Sequence, residues 1–314
     1  MDSAAIKAKA RELGFDRCGI APAAAHPELT FLPEWIGRGY AGSMSYLARS
    51  AKRRADVRQV VPSARTVIVT ATNYNTDRPY SIECGDPSRA FVSRYAWGDD
   101  YHAVIGRRLE ALLEWMRTTE AQPFDARAYV DTGPVQERVY AQHGGIGWIG
   151  KNTCVINPEI GSWIFLAEII CSLDLAVDAP ATDQCGTCTL CLEACPTQAF
   201  DAPYVLDATK CISYLTIEQR GPIPDPLQPL VGGHVYGCDV CQEVCPWNQT
   251  APASTDPAWQ PRPMWDRPTI EALESLDADG LAAAIEHSAM ERARTAGLER
   301  NIAVAARNRR QTRL

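Results

Sequence analysis

The sequence predicts an α/β (α+β) domain, with a bacterial-ferredoxin-like two-cluster domain inserted in or following it, and a helical C-terminal tail. Three observations carry the prediction. Apolar β-branched runs alternate with amphipathic helical patterns over residues 1–178, as in layered α/β domains. Cysteine motifs crowd residues 179–250. Residues 251–314 return to helical spacing after a proline-rich stretch at 252–268.

The elements follow in order. Residues 3–13 read as a helix capped by Ser3, with Ile6, Ala10 and Leu13 on one face and Gly14 as its stop. Residues 18–21 read as a short strand, and helices are expected at 33–38 and from 43 to 49. Residues 66–72, β-branched and bounded by Pro62 and Asn73, form a buried strand. From 101 to 116, Val104, Ile105, Leu109, Leu112, Leu113 and Met116 recur at helical spacing with a polar back face. A strand at 127–131 ends on Asp131, and Pro134 suits the first turn of a helix reaching about His143. Residues 163–171 form a second buried strand. In the tail, Ile270, Leu273 and Leu276 sit at helical spacing.

The cysteines organise the second half. Cys185-Gly-Thr-Cys188-Thr-Leu-Cys191-Leu-Glu-Ala-Cys195-Pro196 has the C-x2-C-x2-C-x3-C-P spacing that holds 4Fe–4S clusters, the fourth cysteine reaching across to the other cluster. Cys238-Asp-Val-Cys241-Gln-Glu-Val-Cys245-Pro246 repeats it without the leading cysteine, and Cys211 is the stand-in. One cluster then takes Cys185, Cys188, Cys191 and Cys245, and the other Cys195, Cys211, Cys238 and Cys241. Structural zinc is the competing reading, because Cys-x2-Cys pairs also bind zinc. Zinc pairs are usually separated by a long spacer, whereas three cysteines here fall within seven residues. Cys18, Cys84, Cys154 and Cys171 are left over and read as buried structural cysteines.

The chain has 314 residues and a formal net charge of −7. Its start opens an amphipathic helix, not a signal peptide, and the apolar run at 163–171 is too short for a bilayer and carries Glu168. A soluble cytoplasmic protein is expected, and a monomer, since no sustained heptad runs through the sequence. The net charge hides two basic stretches of about +5 each. One holds Arg49, Lys52, Arg53, Arg54, Arg58 and Arg65. The other, at 291–314, holds Arg292, Arg294, Arg300, Arg307, Arg309, Arg310 and Arg313. Both fit a phosphate-binding footprint or solvated helix faces.

Three stretches could carry chemistry. Asp131 ends a strand, where α/β sheets place ligands, and a half-desolvated carboxyl there can donate a proton. It could equally cap the following helix. Asp100 and His102 could bind a metal, shape a cofactor site or start a helix. The run from Gly144 to Gly150 is neither a P-loop nor G-x-G-x-x-G after a strand. Its small residues could let the backbone lie against a large flat ligand, with Lys151, Asn152 and Ser162 as polar contacts.

Together these stretches resemble the epoxyqueuosine reductase family, cobalamin- and iron–sulfur-dependent enzymes of tRNA queuosine biosynthesis. The resemblance rests on Arg94-Tyr95-Ala96 with Asp100-Tyr101-His102, Val130-Asp131-Thr132-Gly133-Pro134 and Gly147-Trp148-Ile149-Gly150-Lys151-Asn152-Thr153. It continues through Gly161-Ser162-Trp163, both cysteine motifs, the segment from Cys211 to Thr216, and Tyr236-Gly237-Cys238. It implies a cobalamin-binding α/β domain and reduction of the epoxide of epoxyqueuosine at the tRNA wobble position, giving queuosine and water. Electrons would come from an external donor of the reduced flavodoxin or ferredoxin type and pass through two 4Fe–4S clusters to cobalamin. Asp131 matches the family's proton donor. Arg54, Ser93, Asp100, His102, Lys151, Asn152, Val155 and Ser162 match positions around the corrin, and Asp131 belongs to the same site. Several relatives carry cysteine where Ser93 stands. The basic stretches would meet the anticodon stem-loop, and their contacts would be salt-dependent. The alternatives are a reductive dehalogenase-like enzyme and a corrinoid-activating electron-transfer protein, which would bind a protein and not tRNA.

Overall fold

The structure, a computed structural model, describes residues 1–312, so Arg313 lies outside the described residues. In chain order its first half contains α1 (Ser3–Glu12), β1 (Arg17–Pro22), α2 (Phe31–Gly37), α3 (Ser45–Arg54), β2 (Thr66–Asn73), β3 (Phe91–Val92), α4 (Tyr101–Thr119), β4 (Ala126–Tyr129), α5 (Glu137–His143), β5 (Trp148–Ile149), β6 (Val155–Ile156) and β7 (Ile164–Cys171). Then come α6 (Leu190–Glu193), β8 (Phe200–Ala202), β9 (Val205–Leu206), α7 (Ile212–Ile217), α8 (Gln228–Val231), β10 (His234–Tyr236), α9 (Val240–Glu243), α10 (Ile270–Glu274), α11 (Ala278–Ile285) and α12 (Arg294–Thr312). Among the described residues no helix is long and apolar enough to cross a membrane.

The chain forms two compact units. The first holds residues 1–39, 45–73 and 101–188, and the second holds 40–44, 74–100 and 189–314. These bounds cut the chain differently from the division at 178 and 250. The short elements of 189–250 bury their apolar faces on the C-terminal helices, α12 packing on α7, α8 and β10. The fully buried Asn301 of α12 donates to the carbonyls of Thr216 and Val235, both at 2.8 Å. So small a stretch could not bury a core alone.

The first unit is built on a sheet of order β1-β2-β7-β4, antiparallel throughout, which gives the α+β form of the expected fold. Its continuous β-branched runs are explained by burial on both faces, and every residue of β2 is buried. One face carries Ala21, Val67, Val69 and Ile170 against Val139 and Tyr140 of α5 and Val57 and Val61 beyond α3. Each fully buried Val or Ile contributes about 1.5–3 kcal/mol. The other face meets α4, where Tyr101 stacks on Phe165 with centroids 4.5 Å apart. Asp2, not Ser3, is the N-cap of α1, because the Ser3 hydroxyl is drawn away to the Ala176 carbonyl at 2.9 Å. Gly14 stops the chain's first helix with φ +90°, as its sequence position suggests.

The glycine-rich run closes a hairpin. β5 pairs with β6 antiparallel, Trp148 opposite Ile156. A Cβ on Gly147 would lie 2.3 Å from the Ile156 carbonyl oxygen, and one on Gly150 would lie 2.5 Å from Ile156 Cδ1. Close backbone approach is the first reason for these glycines.

Candidate active site

In the first unit, β4 ends at Tyr129, so Asp131 lies in the turn beyond the strand and not on it. The Thr132 N–H bonds back to the Val130 carbonyl at 2.5 Å, which bends the chain and puts Asp131 at φ +56°. A left-handed non-glycine residue costs about 1–2 kcal/mol, so neighbours must hold it. Glu137 Oε1 does so by accepting the Asp131 N–H at 2.7 Å. Gly133 is required because a Cβ there would fall 2.5 Å from the Tyr129 ring. Asp131 is not the helix cap that the sequence left open: α5 starts later, with Gln136 at the N-cap, and Pro134 precedes it in the turn.

The Asp131 side chain is 60% exposed, and its Oδ2 lies 3.4 Å from His102 Nε2. His102 stacks on Tyr101 at 4.0 Å and so has a fixed ring plane. A cleft of about 420 Å³ runs between α4 and β4, lined by His102, Leu109, Tyr129, Val130 and Thr132. The turn therefore presents a carboxyl, steadied by an imidazole, beside an open cleft.

Two further carboxyls lie behind the turn. Glu168 is wholly buried in β7, between Val69 of β2 and Tyr129 of β4. Burial first, then the charge of Glu137, pushes the Glu168 carboxyl well above its ordinary range. Burial and Asp131 push Glu137 up in turn. A lone acid in an apolar strand was the visible sequence signal, and sequence reasoning used it only against a membrane span.

Arg54 ends α3 with Nη1 on the Val135 carbonyl at 2.7 Å and Nε on Ser50 Oγ at 2.9 Å, bracing the start of α5. Val155 and Ser162 are buried on and beside the hairpin. Asn152 Oδ1 accepts the Cys154 N–H at 3.2 Å inside the hairpin turn. Lys151 has an unexpected role. Its ammonium donates to the carbonyls of Gly186 at 2.7 Å and Cys188 at 2.9 Å, pinning the loop that carries Cys185 and Cys188. Charge-assisted bonds of this kind are worth about 1.5–3 kcal/mol each. Lys151→Met is therefore expected to shorten the lifetime of reconstituted clusters against an iron chelator by about tenfold or more, followed by loss of cluster absorbance. An unchanged lifetime would mean that the loop is held by other contacts.

In the second unit, Ser93 is buried, and its hydroxyl donates to Asp239, next to Cys238. The Arg94 N–H reaches the same carboxylate at 2.7 Å. Asp239 is pushed up to about 6, by burial first and Glu243 second. Glu243 accepts from the Ser81 N–H and hydroxyl, both at 2.6 Å. These two carboxyls of the second cysteine motif thus pin two loops, a role the motif spacing did not reveal. Arg94 is 2% exposed and donates to the carbonyls of Thr76, Arg78 and Pro79 between the rings of Tyr80 and Trp97. Asp100 receives no metal partner among the described residues, and its N–H bonds to the His287 carbonyl at 3.1 Å.

The cysteines suit clusters. α6, carrying Cys191, packs on α9, carrying Cys241. Cys195, Cys211 and Cys238 act on one another electrostatically, and burial pushes the Cys211 and Cys238 thiols up. Such thiols lose their protons only when a metal takes their place. The Cys195 sulfur already accepts the Ala199 N–H at 3.3 Å, the kind of bond that tunes a cluster. Among the described residues no three Cys, His, Asp or Glu side chains converge on a single-ion site. Of the remaining cysteines only Cys171 is buried outright; Cys18, Cys84 and Cys154 are partly exposed.

Comparison with known proteins places a double-cluster domain over the cysteine motifs. The model described as 4Fe-4S double cluster binding domain matches residues 184–248, which contain all eight assigned cysteines. The model described as epoxyqueuosine reductase QueG, DUF1730, matches residues 54–132. An epoxyqueuosine reductase from Gloeobacter violaceus is 43% identical over 306 residues, covering 95% of this chain and 94% of that one. A crystal structure of epoxyqueuosine reductase with a tRNA-Tyr epoxyqueuosine-modified tRNA stem loop is 29% identical, with a TM-score of 0.85, covering 98% of this chain and 81% of that one. A Bacillus subtilis epoxyqueuosine reductase, 28% identical with a TM-score of 0.86 and covering 99% of this chain and 82% of that one, has its catalytic aspartate loop swung out of the active site.

Proposed function

Because the chain belongs to the epoxyqueuosine reductase family, we propose that it reduces epoxyqueuosine at the wobble position of a tRNA anticodon to queuosine. It is an oxidoreductase that acts on tRNA and carries two 4Fe–4S clusters. The observation that carries the reading is the exposed carboxyl of Asp131, steadied by His102 beside a cleft, in a chain whose eight cysteines fall within the double-cluster match.

Opening an epoxide to an alkene and water takes two electrons and two protons. When bound, cobalamin and the clusters supply the electron transfer that no side chain offers. Arg54, His102, Asn152 and Ser162 bring a guanidinium, an imidazole, an amide and a hydroxyl, a donor set suited to the amide-rich rim of a corrin. We assign them to that rim together with Val155 and Lys151, Lys151 sharing the task with its two carbonyls. Asp131 protonates the epoxide oxygen as the first C–O bond breaks, so that no alkoxide has to form. The second proton, with which the hydroxyl leaves as water when the second C–O bond breaks, comes from solvent through the exposed carboxyl. His102 keeps the carboxyl turned toward the cleft. The Asp131 turn also has a second, swung-out position, like that of the Bacillus relative.

The two basic stretches play unequal parts. In the second, Arg292 pairs with Glu218, Arg309 with Glu271 and Arg310 with Glu274, while Arg300 donates to the carbonyls of Leu215, Gln219 and Gly221. Three of its seven arginines are thus matched by carboxylates of the fold, and a fourth is held by carbonyls. Arg49, Lys52 and Arg53 of α3 are exposed and are the better phosphate contacts. Replacing Lys52 and Arg53 with alanine is expected to weaken stem-loop binding and to lower the slope of log K against log salt by about 1–2. An unchanged slope would move the RNA elsewhere on the surface. Conversion of epoxyqueuosine to queuosine in an anticodon stem-loop, read by nucleoside mass spectrometry, tests the reading as a whole.

A further inference from the structure

Glu168 is a buried carboxyl without a hydrogen-bond donor: it sits mid-strand in β7 at zero exposure, and among the described residues no N–H or O–H group donates to either of its oxygens. An ionised carboxylate buried in this way is costly unless it is paired or takes up a proton. Its neighbours do not repay that cost. The groups that face it are Glu137 and Tyr140 of α5, Arg54 at the end of α3, and Asp131 beyond β4. β2 offers Val69 and β4 offers Tyr129, while α4 packs on the opposite face through Phe165. Arg54 is committed to Ser50 and the Val135 carbonyl. Glu137, itself faced by Arg138, is therefore the partner left to Glu168, and two ionised carboxylates cannot satisfy each other. With one proton between them they can, Glu168 donating and Glu137 accepting.

Glu137 has a second contact, the Asp131 amide, which it accepts while Asp131 is held at φ +56°. We propose that Glu168 and Glu137 share a single proton, and that this carboxyl pair is the latch that keeps the Asp131 turn in the position seen here. The inference rests on the proposed reading of Asp131 as proton donor. With the shared proton in place the pair carries one negative charge, and Glu137 is free to hold the amide. When the proton leaves, a buried dianion forms. It is relieved by Glu137 turning to water, which releases the amide and lets the strained turn relax. Glu137 and Glu168 are positioning residues, because neither touches the reacting atoms.

The sign of the linkage follows. The folded state keeps a proton on Glu168 above the ordinary carboxyl value of 4.5, where the unfolded chain has lost it. The pair's stability is complete below that value and falls as pH rises toward the folded pKa. Glu168→Gln is always neutral and nearly the same size, so it stays latched as pH rises. Glu137→Gln keeps the acceptor for the amide and gives Glu168 the donor it lacks.

The test is isotope-edited infrared spectroscopy of the reconstituted protein, with hydrogen exchange of residues 130–135 on the same samples. Wild type and Asp131→Asn are expected to show a protonated-carboxyl band that persists above neutral pH and is lost in Glu168→Gln. In Glu137→Gln, where burial still favours the protonated form but the neighbouring carboxylate is gone, the band disappears at a lower pH than in wild type. In wild type, exchange across 130–135, corrected for intrinsic rates, should rise about tenfold through the pH at which the band disappears, and in Glu168→Gln it should stay flat. Absence of the band in wild type overturns the shared proton. Equal exchange profiles in wild type and Glu168→Gln overturn the latch. Full turnover in Asp131→Asn would instead overturn the proton-donor reading while leaving band and exchange as predicted, so the two failures are distinguishable.

Discussion

Asp131→Asn lowers turnover on epoxyqueuosine-containing RNA by about 10²–10⁴-fold, the range by which a positioned acid accelerates proton transfer. The substitution is nearly isosteric. It leaves the Asp131 backbone N–H on Glu137, because that bond does not involve the side chain. It also leaves an oxygen for His102, now 3.4 Å from the carboxyl. Cluster absorbance, corrin loading and stem-loop affinity should therefore match wild type. Only the proton is missing, so the loss should appear in kcat with KM unchanged. Turnover within about twofold of wild type, with cofactors loaded, would remove Asp131 from this role and leave the cleft without an identified acid.

The second large effect concerns Cys211, the one ligand that stands outside both motifs. It caps α7 directly after a 3-10 turn at Ala208–Lys210, with its thiol buried and electrostatically coupled to Cys195 and Cys238. If the second cluster takes Cys195, Cys211, Cys238 and Cys241, then Cys211→Ala removes one corner of it. Iron and sulfide per chain should fall to about half after anaerobic reconstitution, and turnover should drop to background because the relay is interrupted. Cys84→Ala, outside both sets, should keep its full iron content. Full iron in Cys211→Ala would mean that another side chain closes the cluster and that the ligand assignment is wrong.

The two cases differ in how far sequence could reach. The two-cluster domain was legible because its chemistry demands a fixed spacing along the chain, and counting offered Cys211 for the missing corner. The strands at 66–73 and 164–171 were legible because burial on both faces leaves a continuous apolar run. Their pairing was not. An antiparallel sheet of order β1-β2-β7-β4 depends on contacts across some hundred residues, and local pattern carries no record of them. Asp131 was visible as a residue but misplaced on a strand, because the 2.5 Å turn at Val130–Thr132 and the Glu137 contact are tertiary. Lys151 shows a role that a motif cannot reveal: two of its donors go to the Gly186 and Cys188 carbonyls, which lie 35 and 37 residues further along the chain. Charge counted along the basic tail likewise takes no account of Glu218, Glu271 and Glu274 opposite.

The central claim is that this chain reduces an epoxide on tRNA with electrons from its clusters and a proton from Asp131. Its most direct test is turnover on an epoxyqueuosine-containing anticodon stem-loop. The protein would be reconstituted anaerobically with iron, sulfide and cobalamin, supplied with a reductant, and the nucleosides read by mass spectrometry. The account predicts a product one oxygen lighter, formed only when cobalamin, reductant and both clusters are present, and nearly abolished in Asp131→Asn. Unchanged epoxyqueuosine, with clusters and cobalamin loaded and the stem-loop bound, would contradict it.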